Sequence, residues 1–198
     1  MRAMNRSTTL SILAMALAGA CSTPQDHFYT LIGDASPVQP SGGVGGKLSV
    51  QIASITLPEA VDRAELVLRQ GPNSVSVHDT RRWAESLKSA IPRVVANDLG
   101  PLLDGASVTT AEDNVGQHAK YQVRLDITRF DTVLGGTEAI DAAWLIHAGK
   151  TEVTGKANLR VPARGTDFDD AVAAHAQALA QLSGEIANQI KGLEKGGN

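Results

Sequence analysis

A single cysteine, Cys21, stands in the 198-residue chain, so no internal disulfide is open to it. Aromatic residues make up only 4%, too few for a surface that stacks sugar rings. No run of five basic residues occurs, and the formal charge is −3. Without Arg2 and Arg6 it falls to about −5. A nucleic acid backbone finds no basic stripe to hold it, and anionic headgroups do not attract such a chain by charge. Beyond the first twenty residues no apolar stretch approaches the ~20 residues that cross a bilayer. Catalytic patterns are missing as well. There is no G-x-S-x-G nucleophile elbow, no H-E-x-x-H and no Cys/His metal spacing. Gly42–Lys47 has the look of a phosphate-binding loop, but Ser41 stands where the first glycine is required and Leu48 follows the lysine. No internal repeat is visible.

What is present begins at the N-terminus. Met1–Ala20 carries Arg2 and Arg6 and no acid, an apolar centre at Leu10–Leu17, and small residues Ala18-Gly19-Ala20 directly before Cys21. A basic head, a short apolar centre and a small-residue cleavage zone make a secretory signal, and Met4 would serve as an equivalent start. Residues 1–20 are therefore expected to be removed. Two accounts of Cys21 follow: an ordinary signal with a stray cysteine, or a lipid-bearing residue. A lone exported thiol is a liability, whereas a thioether-linked diacylglycerol accounts for its solitude. Each buried methylene contributes ~0.8 kcal/mol, and about two chains make a stable anchor. No cofactor other than this covalent lipid is expected.

The tether, residues 21–26, is short. Five residues between Cys21 and His27 span at most ~18 Å, so a domain that starts at His27 sits against the bilayer. His27–Ile32 reads as a first strand, and 35–46, rich in Pro, Ser and Gly, as a flexible loop. Leu48, Val50 and Ile52 alternate with polar residues as a half-buried strand. Glu65–Arg69 and Val75–Val77 form a hairpin around Gly71-Pro72-Asn73. A helix is expected from Asp79 or Thr80, burying Trp83, Leu87, Ile91, Val94, Val95 and Leu99 and stopped by Gly100-Pro101; Pro92 should kink or divide it. Tyr121–Thr128, Ile140–Ile146 and Val153–Val161 alternate as an antiparallel meander with turns at Leu134-Gly135-Gly136 and Ala148-Gly149-Lys150. A last helix from Asp167 to Lys191 buries Val172, Leu179, Leu182, Ile186 and Ile190. Residues 195–198 are a tail. These elements predict a single α+β domain over 27–194, a mostly antiparallel sheet with two main helices packed on one face.

Of the polar candidates, His78-Asp79 reads as a turn and cap rather than a catalytic pair, and Asp167, Asp169 and Asp170 as stabilisers of a helix N-terminus rather than a cation site. Trp83 and Trp144 are either core or anchors in a protein interface. No residue is expected to be catalytic or to bind metal.

Leu17-Ala18-Gly19-Ala20-Cys21 resembles a lipobox, with Ala18 where Leu is usual. Cys21-Ser22-Thr23-Pro24, the Phe28-Tyr29-Thr30-Leu31 strand, Leu57-Pro58, Asp62-Arg63, Arg69 and Arg82-Trp83-Ala84-Glu85 follow in order. So do Arg129-Phe130-Asp131, Ala143-Trp144 and Leu182–Ala187. Together they resemble the PqiC-like auxiliary lipoproteins of ABC-type transport systems. The resemblance implies a non-catalytic lipoprotein on the periplasmic face of the outer membrane, with Ser22 permitting that destination. It implies as partners a periplasmic MCE-domain protein and an inner-membrane permease complex, and a homo-oligomeric ring. Leu57, Pro58, Asp62, Arg63, Arg69, Trp83 and Trp144 would carry the family signature or an interface. Two rivals stand beside this: a structural lipoprotein gripping peptidoglycan or an assembly machine, and a lipid-carrying binding module. An unrecognised lipid hydrolase is the enzymatic alternative.

Overall fold

The structure, a computed structural model, describes residues 24–33, 48–113 and 118–196. Eight strands and two helices follow one another as β1 (His27–Tyr29), β2 (Ser49–Thr56), β3 (Glu65–Gly71), β4 (Ser74–Trp83), α1 (Leu87–Leu102), β5 (Ser107–Thr110), β6 (Tyr121–Thr132), β7 (Thr137–Ala148), β8 (Thr151–Pro162) and α2 (Phe168–Gly196). All strands join one open sheet. Its long ladders, β6–β7 and β7–β8, are antiparallel, as the alternation and the turn glycines Gly135 and Gly149, both at positive φ, require. The fold is the expected α+β domain with a mostly antiparallel sheet. The rest of the topology is less local. β2 runs parallel to both β5 and β6, and β1 runs parallel to β4.

The helices cover one face. Val50 and Ile52 of β2, Tyr121, Val123, Leu125 and Ile127 of β6, and Ile140, Ala142, Trp144 and Ile146 of β7 are buried in the same core as Ile91, Val94 and Leu99 of α1 and Leu179, Leu182 and Ile186 of α2. Arg124, Asp126 and Thr128, on the other parity of β6, are exposed.

The first helix departs from expectation. Asp79–Trp83 is strand, not helix, and α1 begins at Leu87 behind Ser86, whose Oγ accepts from Ser89 N at 3.2 Å. Trp83 precedes Leu87 by one helical turn, so it fits the helical stripe by spacing alone. Pairing decides otherwise: Tyr29 lies beside Trp83, Trp83 N donates to Ala64 O and Ala84 N to Tyr29 O. Nor do the prolines divide α1, which runs through Pro92 and Pro101 as one element. The carbonyls that lose their helical partners to these rings belong to Lys88 and Asn97, both exposed residues, a placement that lets water replace the lost bond. The helix ends two residues beyond Gly100, with Gly105 N returning to Gly100 O at 2.9 Å. At the other terminus α2 continues to Gly196, past the expected end at Lys191 and into the expected tail.

Candidate functional site

β6 is the hinge of the sheet. Its first half pairs with β2 from Tyr121 to Asp126, and its last residue, Thr132, meets Leu68 of β3. Between them the strand ladder on this side is interrupted by the loop 57–64, tightened by Val61 N and Asp62 N on Pro58 O at 3.0 and 3.1 Å. A cleft of about 520 Å³ opens there, walled by Pro58, Val61, Val67, Arg69, Arg129 and Asp131. A β-bulge on β6 between Ile127 and Arg129 aims these side chains. The extra residue switches the parity of the strand, so Phe130 turns into the core and Arg129 and Asp131 turn to the cleft.

Asp131 is the acceptor around which the cleft is built. Arg69 Nη2 donates to its Oδ2 at 2.8 Å, and Arg129 donates from Nε and Nη2 at 3.1 Å. The remaining terminal nitrogen of Arg69 donates to the carbonyls of Gly71 and Pro72 at 3.3 and 3.1 Å. One guanidinium thus ties the β3–β4 turn to β6. Burial pushes the Asp131 carboxyl up, but the bonds from Arg69 and Arg129 outweigh it and hold it below the ordinary carboxylate range. Arg69 is raised by the same bond.

A second polar cluster lies on the helix side. Glu138 of β7 is fully buried, and His175 of α2 approaches its Oε2 with Nδ1 at 2.9 Å without the N–H aligned for a hydrogen bond. The imidazole stacks on Phe130, centroids 4.3 Å apart, and meets Trp83 edge-on at 5.8 Å. Burial pushes the Glu138 carboxyl up, and His175 opposes this. Among the described residues no cluster of His, Cys, Asp and Glu is suited to holding a metal ion.

Residues 29–187 match the family described as the ABC-type transport auxiliary lipoprotein component. The chain belongs to this family. Solved structures agree on the fold of the auxiliary lipoprotein. One, of an uncharacterized protein, is 19% identical with a TM-score of 0.70, the match covering 84% of this chain and 99% of the other. Protein XCC0632 from Xanthomonas campestris, of the DUF330 family, is 16% identical with a TM-score of 0.64, covering 87% and 100%. A comparison with curated protein sequences finds no match.

In the auxiliary lipoprotein the signature residues divide. Pro58 and Arg69 meet at the cleft. Leu57 packs half-buried against the core. Asp62 binds Lys88 Nζ at 2.5 Å, and Arg63 binds Glu65 at 3.1 Å, with Arg82 on the same carboxylate at 3.6 Å. Trp83 and Trp144 are both buried, away from the cleft. Trp144 donates Nε1 to Gln189 Oε1 at 2.5 Å, and its indole lies where a Cβ on Gly155 would be. Cys21 and Ser22, with residues 1–20 and the loop 35–46, lie outside the described residues. Asp131, Glu138 and His175 were not among the expected site residues. The signal for Glu138 is one further step of the Ile140–Ala142–Trp144 alternation, and for His175 its place between Val172 and Leu179 on the buried stripe.

Proposed function

We propose that this auxiliary lipoprotein is a non-catalytic subunit of an intermembrane lipid transport system, anchored through acylated Cys21 to the periplasmic face of the outer membrane. There it docks a periplasmic MCE-domain assembly whose permease lies in the inner membrane. The observation that carries this reading is the family match over residues 29–187, joined to a first strand that begins six residues after Cys21. In this reading residues 1–20 are the cleaved signal, Ser22 lets the protein leave the inner membrane, and the domain acts by contact. Its polar side chains support a contact role: Arg69 and Asp131 in the cleft hold β3 to β6. The cleft is polar and open to solvent, unlike the enclosed apolar pockets that carry lipids.

The test is affinity purification of the acylated protein from crosslinked membranes, with partners identified by mass spectrometry. Recovery of an MCE-domain protein together with its permease is expected. Recovery of only cell-wall or envelope-assembly proteins would overturn the transport role and leave a structural lipoprotein.

A further inference from the structure

Four of the seven large apolar side chains exposed among the described residues gather at one end of the sheet. β3 and β6 run in the same direction with Leu68 beside Thr132, β4 returns against β3, and β7 against β6. These registers bring the β3–β4 turn at Pro72-Asn73 and the β6–β7 turn at 133–136 to the same rim. Val75 and Val77 follow the first turn, Val133 and Leu134 sit in the second, and each is 38–44% exposed. Leu102, equally exposed, lies at the far end, where α1 hands over to β5 beside the start of β2. Phe28 and Ile32, 64% and 71% exposed, lie singly on β1 and just after it, beside the end of β4; four apolar side chains on two turns at one rim are a candidate contact surface.

Chain direction says what covers it. β1 runs parallel to β4, with His27 beside Arg81, so the chain enters β1 from the rim side. Cys21 precedes His27 by six residues, a reach of ~20 Å at most. Val75 precedes Arg81 by six residues along β4, about 20 Å of strand. The tether is therefore just long enough to bring a lipid on Cys21 level with the rim, and too short to lift the rim clear of the surface.

We propose that the rim formed by Val75, Val77, Val133 and Leu134 rests in the interfacial layer of the bilayer that holds the anchor. This deepens the anchored reading and depends on it. The contact is apolar rather than ionic: Arg69, the nearby cation of the cleft, is committed to Asp131 and to the Gly71 and Pro72 carbonyls. The far end, with β5 and the C-terminus of α1, then points into the periplasm, which is the side a transport assembly must approach.

Trp83 and Trp144 are buried, so the natural fluorescence is a quiet background for a quencher carried by lipid. The full acylated protein is placed in phosphatidylethanolamine–phosphatidylglycerol vesicles with brominated acyl chains, as Leu134→Trp, Val75→Trp and Leu102→Trp variants. An indole in the interfacial layer lies within reach of such chains, so L134W and V75W should lose about half of their added emission, and L102W almost none. The mass of the N-terminal peptide, read on the same sample, reports the anchor separately. Acylated Cys21 with L134W quenched no more than L102W overturns the rim contact and leaves the anchor standing. Unmodified Cys21 overturns the anchor and the rim contact together. A blue-shifted L134W emission in protein without lipid means a protein surface covers the rim, and overturns the proposal as well.

Discussion

Replacing Asp131 by alanine tests whether the cleft is held by one carboxylate. Its side chain is 8% exposed, that of Arg69 26% and that of Arg129 37%. The two arginines should respond differently. Arg129 can turn to water at little cost, as exposed pairs contribute only ~0–1 kcal/mol. Arg69 cannot follow, because its Nε is already buried without a partner and its terminal nitrogen is held by Gly71 and Pro72. Stranding a fully buried charge costs ~3–5 kcal/mol; with Arg69 partly hydrated, about 2 kcal/mol is expected for Asp131→Ala. Removing both partners in Asp131→Ala/Arg69→Met should cost less than the sum of the single changes, by about 1 kcal/mol. Urea unfolding followed by tryptophan emission reads this directly, since both indoles are buried. The pH dependence has a fixed sign. Asp131 is held below its unfolded value, so its contribution is present above about pH 4 and lost as pH falls through the folded value. The gap between variant and wild type should therefore narrow as pH falls below about 4 and the wild-type carboxyl takes up its proton. A loss under about 0.5 kcal/mol at pH 7, or one that does not shrink at all as the folded protein is acidified, would refute the reasoning.

Glu138 behaves in the opposite sense. Burial raises its folded value, so its contribution is complete below about pH 4.3, the unfolded value, and is lost as pH rises from there through the folded value. Glu138→Gln has no such proton to lose, and its stability relative to wild type should improve with pH, by no more than about 1.4 kcal/mol per pH unit. Parallel stability–pH curves would show that the His175 contact already compensates the carboxylate. Gly155→Ala puts a methyl into the indole of Trp144 and should destabilise by about 3 kcal/mol while altering the near-ultraviolet circular dichroism; an unchanged spectrum and melting point would contradict the packing. Ser86→Ala removes the cap on Ser89 N and should cost about 1 kcal/mol, with Ser86→Gly recovering most of it, whereas a helix that began at Asp79 would leave Ser86→Ala nearly silent.

The difference between what the sequence shows and what it hides follows the range of the interactions. The β6–β8 meander is legible because each alternating run is joined to the next by a short glycine turn, so pattern and pairing are both local. The start of α1 is not, because Trp83 satisfies a helical period equally well and only pairing with earlier segments, β1 and Ala64, holds it extended. The parallel entry of β2 between β5 and β6 leaves no mark on any one segment. The candidate site lies on the hidden side of this divide. Arg69 and Asp131 both stand in stretches that carry the family resemblance, but nothing local joins them, because Asp131 comes from a strand 62 residues beyond Arg69. On simple alternation Asp131 would face the core, since Tyr121, Val123, Leu125 and Ile127 share its parity. A carboxylate there would be an unpaired charge against α2. The bulge after Ile127 resolves the conflict by turning Phe130 inward and sending Arg129 and Asp131 out to Arg69. The same turn places Phe130 under His175, and so gives the buried Glu138–His175 pair one of its walls. A single inserted residue thus sets both polar clusters. Restoring strict alternation by deleting Thr128 should disturb the cleft and the His175 packing together, which no independent reading of either cluster predicts.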